Sequence, residues 1–196
     1  MAELLLFHHA QGLTTGCLSF ADDLRAAGHI VHVPDLYDGT TFADLADGVD
    51  HAEQLGFETI LERGRLAARE LPDGVVYVGF SLGVMAAQML AQTRVGARGA
   101  VLLHSCVPPS ELGGPWPPRV PLQIHMMDAD EWALPPNEDL AAARELDEMI
   151  EAAELFVYPG DRHLFADDSL PGYDEGAATL VKRRVHSFLD EVEQGF

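Results

Sequence analysis

Short apolar runs alternate along the chain with longer stretches in which apolar residues return every three or four positions. The runs Leu4–His8, Ile30–Val33, Val75–Val78, Ala100–Leu103, Leu122–Met126 and Leu155–Tyr158 predict strands. Helical spacing over Leu18–Ala27, Val49–Leu71, Leu82–Gln92, Leu140–Ala152 and Gly176–Val192 predicts helices between and after them. Gly28 closes the first helix, Pro34 stops the second strand, and Pro72-Asp73-Gly74 turns the chain before the third. Strands that are apolar throughout are expected to be buried on both faces. Their alternation with helices predicts an α/β fold with a mainly parallel sheet and helices on both sides. The segment Val107–Pro121 breaks the pattern and carries six of the twelve prolines. It reads as a rim to a site or as plain connection.

The length of 196 residues fits one domain, 1–196, and 47% apolar content supplies a substantial core. With 32 acidic residues against 12 basic ones, the net charge of −20 disfavours nucleic acid and anionic membranes as partners. No apolar run approaches a membrane span, and the first residues lack the basic region of a signal peptide, so a cytoplasmic protein is expected. Cys17 and Cys106 have neither disulfide-framework nor metal spacing and read as buried free thiols. Nothing calls for a metal or a cofactor. The chain reads as a monomer or homodimer acting on a small molecule.

The chemistry centres on Gly79-Phe80-Ser81-Leu82-Gly83. A valine-rich strand leads into this run and a helix follows at once, which is the setting of a nucleophile elbow. There a serine sits on a sharp turn with its hydroxyl free, and small residues two before and two after let strand and helix approach. A serine that merely caps the helix is the plainer alternative.

Serine needs a base, and the base needs an acid. His163, in the loop after the last strand, is the expected base; His104 and His125 lie near strand ends where each could line the site, and His186 in the last helix reads as structural. The acid belongs after the strand Leu122–Met126, where Asp130 is preferred, Asp128 is the alternative and Glu131 a more remote one. The first strand runs into His8-His9-Ala10-Gln11-Gly12. The amides of Ala10 and Leu82 are expected to form an oxyanion hole. His9 and Gln11 are possible substrate contacts. No suitably spaced acid or cysteine accompanies the paired histidines to make a metal site. Cys106 is a weaker nucleophile candidate, because it has no elbow around it.

These residues together resemble the dienelactone hydrolase family over nearly the whole chain. The resemblance is carried by His8-His9-Ala10-Gln11-Gly12-Leu13, Val33-Pro34-Asp35-Leu36-Tyr37-Asp38-Gly39, the Ser81 elbow, the aspartate loop and Tyr158-Pro159-Gly160-Asp161-Arg162-His163-Leu164-Phe165. It implies a compact α/β-hydrolase without a large lid, and supports Ser81, Asp130 and His163 as a triad with Ala10 and Leu82 as oxyanion donors. Members active on dienelactone carry cysteine at the nucleophile position, an acidic residue where this chain has His9, and substrate-binding arginines. Here Asp167 stands where such an arginine is expected. The implied activity is therefore hydrolysis of a small ester, lactone or thioester by serine, and dienelactone itself is disfavoured. The rival reading is a binding or regulatory protein that kept the fold and lost catalysis.

Overall fold

The computed structural model describes residues 1–195. One sheet of six strands organises it: β1 (Glu3–Phe7), β2 (Ile30–His32), β3 (Val75–Phe80), β4 (Gly99–Leu103), β5 (Leu122–Met127) and β6 (Ala153–Tyr158). Their order across the sheet is β2-β1-β3-β4-β5-β6. Every neighbouring pair is parallel. The expected α/β architecture is therefore present, and wholly parallel among the described residues.

Alternation along the strands divides the core in two. On β1, Leu5 and Phe7 join one apolar cluster while Leu4 and Leu6 join the other. β3 does the same, with Val75 and Tyr77 against Val76, Val78 and Phe80. This period of two follows from the pleat, and both faces are covered. Helices α2 (Leu45–Leu55), α3 (Phe57–Arg69), α4 (Gly83–Thr93) and α5 (Asp139–Met149) pack on one face. Helices α1 (Thr15–Ala26) and α6 (Glu175–Gln194) pack on the other. Thr14, Asp44 and Asp174 cap α1, α2 and α6 through their side chains.

The long helix expected over Val49–Leu71 is two helices. Gly56, at φ +83° and ψ 131°, ends α2 and begins α3. Its N–H donates to Ala52 and Glu53 carbonyls, and its own carbonyl accepts from Thr59. Apolar spacing continues across the break and hides it, since a glycine within a helical pattern is compatible with either outcome. The break brings Phe57 to the start of α3, beside the cavity described below.

The segment Val107–Pro121 is mostly packed connection, with a short 3-10 turn at Pro109–Glu111. The amide of Gln88 donates to the Val107 carbonyl, and that of Gln92 to the carbonyls of Pro109 and Gly114. Only Val107 of this segment reaches the cavity. Cys17 and Cys106 are buried and unpaired. No helix among the described residues is long and apolar enough to cross a membrane.

Gly56→Ala should place a Cβ in a conformation that L residues rarely adopt, at a cost of about 1–3 kcal/mol. An unfolding free energy lowered by that amount in urea titration, seen as a lower midpoint at unchanged slope, is the expected result.

Candidate active site

Ser81 lies between β3 and α4 with φ +47°, in the left-handed region. Its N–H donates to the Leu103 carbonyl at 2.7 Å, and its carbonyl accepts from Val84 at 2.8 Å. Both flanking glycines are required by close approach. A Cβ on Gly79 would lie 2.6 Å from the Val84 backbone, and one on Gly83 would lie 2.4 Å from the Phe7 carbonyl oxygen. The helix can therefore start directly over the strand edge, carrying its positive end to the serine.

The structure brings Ser81, His163 and Asp130 into one hydrogen-bonded line. Ser81 Oγ is 2.7 Å from His163 Nε2, and His163 Nδ1 is 2.6 Å from Asp130 Oδ2. With Nδ1–H donating to the carboxylate, Nε2 is left to accept the serine proton. Asp130 is wholly buried. Its Oδ1 accepts the Trp132 N–H, and its carbonyl accepts from Ala133 and Leu134, so the loop folds around its own aspartate.

Asp128 has a different task. Its N–H donates to the Tyr158 carbonyl, and its Oδ1 accepts the Gly160 N–H at 3.0 Å. It thereby ties the aspartate loop to the loop that carries His163, and it does not touch the imidazole. Glu131 is exposed.

A cavity of about 250 Å³ opens at Ser81 and His163. Ala10, Leu82, Met85, Phe57, Val107 and Trp132 supply much of its apolar wall, and Ser105, Asn137 and Asp139 its remaining polar side chains. The amides of Ala10 and Leu82 donate to no acceptor among the described residues. Gly48 of α2 holds the Ala10 strand end closely, since a Cβ there would lie 2.1 Å from the Ala10 carbonyl oxygen. Of these lining residues, Phe57, Ser105, Trp132, Asn137 and Asp139 carried no signal in the chain pattern. Their positions depend on the α2–α3 break and on how the loops after β4 and β5 fold back.

His9 and Gln11 do not line the cavity, contrary to the expectation of substrate contact. Gln11 is turned away, donating to the Phe42 and Ala43 carbonyls. His9 is fully buried. Its Nδ1 accepts the Gln11 N–H, so its proton lies on Nε2, 2.8 Å from Asp167 Oδ2. Asp167 also accepts from Thr14 on Oδ2 and from the N–H and hydroxyl of Ser169 on Oδ1. Burial pushes its carboxyl upward, but the hydrogen bonds of His9, Ser169 and Thr14 outweigh this and hold it at about 2. Gly16 is necessary here, because a Cβ would fall 1.7 Å from Asp167 Oδ1.

The histidine pair thus has an acid and a cysteine beside it after all: donor atoms of His9, Cys17 and Asp167 lie within 4.8 Å of one another. This set fits a metal poorly. Burial holds the Cys17 thiol up at about 12, where it stays protonated, and the Asp167 oxygens are already taken by hydrogen-bond donors.

His8, His104 and His125 are buried as well. His8 accepts the Leu36 N–H on Nε2 and reaches the His9 carbonyl through Nδ1, and burial lowers its pKa to about 4. His125 lies between Tyr158 and Gln123, with burial lowering it to about 3. His104, at φ +73°, packs between Phe80 and Phe165 beneath His163, and burial holds it well below the ordinary histidine value. His186 joins α6 to Asp23 of α1 at 2.9 Å. Burial, then the Asp139 charge, pushes the Cys106 thiol far up, which argues against it as a nucleophile.

A parallel sheet with a serine on its strand-to-helix turn, and with histidine and aspartate arriving from later strand ends, defines an α/β-hydrolase fold. Within that class the chain belongs to the dienelactone hydrolase family, whose model matches residues 3–193. A candidate dienelactone hydrolase from Klebsiella pneumoniae superposes with a TM-score of 0.76 at 18% identity, covering 97% of this chain and 87% of that one. A dienelactone hydrolase-like promiscuous phosphotriesterase from metagenomic libraries gives 0.75 at 18%, covering 98% and 87%. A dienelactone hydrolase from Anabaena variabilis gives 0.64 at 18%, covering 94% and 83%. At such identity these likenesses speak for the fold. No curated protein matches the chain in sequence.

Because its folded-state pKa lies below the ordinary aspartate value, Asp167 adds stability that is fully present above about pH 4. That stability, about 2 kcal/mol, is lost as pH falls through about 2. Asp167→Asn should lower stability at pH 7 by about 2–4 kcal/mol, since donors then face an amide. Thermal melts between pH 5 and pH 2 should also show a flatter acid dependence in the variant.

Proposed function

We propose that this hydrolase cleaves a small ester, lactone or thioester through an acyl-enzyme on Ser81. The observation that carries the proposal is the unbroken line from Ser81 Oγ through His163 to the buried Asp130 carboxylate. Ser81 Oγ attacks the acyl carbon as His163 Nε2 takes its proton. Asp130 holds the imidazole in the tautomer that accepts this proton and stabilises the imidazolium that follows. The free N–H groups of Ala10 and Leu82 receive the developing oxyanion. His163 then protonates the leaving group, and the acyl group passes to water by the same steps in reverse order.

The size of the cavity, about 250 Å³, supports a small substrate. Dienelactone fits poorly with a site whose lining contains no arginine or lysine among the described residues. An inactive binding protein on this fold would have no use for a strained serine, an aligned imidazole and two unengaged amides at one point, and their coincidence favours the enzyme.

Ser81→Ala should lower turnover of a short p-nitrophenyl ester by about 10⁴-fold or more, with the circular dichroism spectrum retained. Undiminished turnover would contradict the assignment. Asp130→Asn should lose about 10³- to 10⁴-fold in kcat, while Asp128→Asn stays within several-fold of the parent. Equal rates in the two variants would remove Asp130 from its role.

A further inference from the structure

One wall of the cavity carries a carboxylate that the proposed acyl transfer does not use. Asp139 is the first residue of α5 and lines the same space as Ser81 and His163. Its Oδ2 accepts the Ser105 hydroxyl at 2.5 Å and the Cys106 N–H at 3.4 Å. Its Oδ1 accepts no hydrogen bond from the described residues, and it is not sealed from solvent. Half of this carboxylate is thus anchored and the other half faces open space.

The surroundings suit one kind of visitor. Trp132, 6.0 Å from the His163 ring, and Phe57 line the same cavity as Asp139 and supply aromatic surface to it. Aromatic side chains and a carboxylate lining one small cavity make a receptor for an organic cation, which gains from the ring quadrupoles and from the full charge. Among the described residues the lining has no arginine or lysine that would pair with Asp139 internally. Burial raises the Asp139 pKa, which marks the ionised form as incompletely compensated by its two donors. The net charge of −20 on the whole chain acts in the same sense, drawing cations and repelling anions.

We propose that Asp139 is a specificity-determining residue that selects esters bearing an ammonium group and turns away those bearing a carboxylate. Substrate class is thereby assigned by a residue of α5, outside the Ser81 line. The assignment rests on the acyl-enzyme reading only for its consequence in turnover, because recognition itself precedes chemistry.

The test compares butyrylcholine, its uncharged isostere 3,3-dimethylbutyl butyrate, and monobutyl succinate as the anionic ester. The parent protein should favour butyrylcholine over the isostere by about tenfold in kcat/KM and should disfavour the succinate ester by a similar factor. Asp139→Asn keeps the shape and the Ser105 contact while removing the charge. It should bring both ratios close to one, and its thermal melt reports that it folds. Parent ratios near one, or ratios that Asp139→Asn leaves unchanged, would overturn the proposal. The same three ligands are titrated by calorimetry into Ser81→Ala and Ser81→Ala/Asp139→Asn, where Kd ratios replace rate ratios. Absent hydrolysis with the tenfold binding preference intact would defeat the serine mechanism and uphold the role of Asp139. Hydrolysis without the preference would do the reverse.

Discussion

The backbone turn at Ser81 is the constraint on which the rest of the site depends. A non-glycine residue at φ +47° is held between a strand and a helix that nearly touch, with no side chain possible on either side at Gly79 or Gly83. Such a conformation costs about 1–3 kcal/mol and persists only where the surroundings over-determine it. Here the Leu103 carbonyl, the first turn of α4 and the end of β1 do so together. Because the serine stands at the carboxyl edge of a parallel sheet, every later strand delivers its following loop to the same edge. The aspartate loop after β5 and the histidine loop after β6 are neighbours for that reason, and Asp128 and Gly160 clip them together.

Two departures from the dienelactone-active members of the family meet in space. The position expected to be acidic is His9, and the position expected to be arginine is Asp167, and the two side chains lie 2.8 Å apart inside the protein. The chain thus places a basic side chain and an acidic one at facing positions and encloses them in a network with Thr14 and Ser169. The result is a buried support under the first turn of α1, where Gly16 makes room for the carboxylate. Polarity in the cavity at Ser81 is supplied elsewhere, by Ser105, Asn137 and Asp139.

Much of this was legible in the chain because local rules and global fold agree. Apolar runs bounded by turn residues gave the strands, and a strand-turn-helix around Ser81 gave the elbow. His163 and Asp130 stood out because loops after late strands are where partners for a sheet-edge serine must come from. Other features depended on geometry with no local mark. Gly56 interrupts a helical pattern that its neighbours continue, so the α2–α3 break and the position of Phe57 were hidden. The fate of His9 was set by Asp167, 158 positions away, and no spacing rule joins such residues. Telling the roles of Asp128 and Asp130 apart required knowing which carboxylate meets the His163 imidazole and which meets the Gly160 amide.

The account stands on Ser81 being a nucleophile activated by His163. The most direct measurement is labelling of the folded protein with a fluorophosphonate, followed by mass spectrometry of its peptides. One adduct per chain on Ser81, lost in His163→Ala although the serine is retained, is the predicted result. No adduct on the folded protein, or an adduct that persists at the same rate without His163, would contradict it.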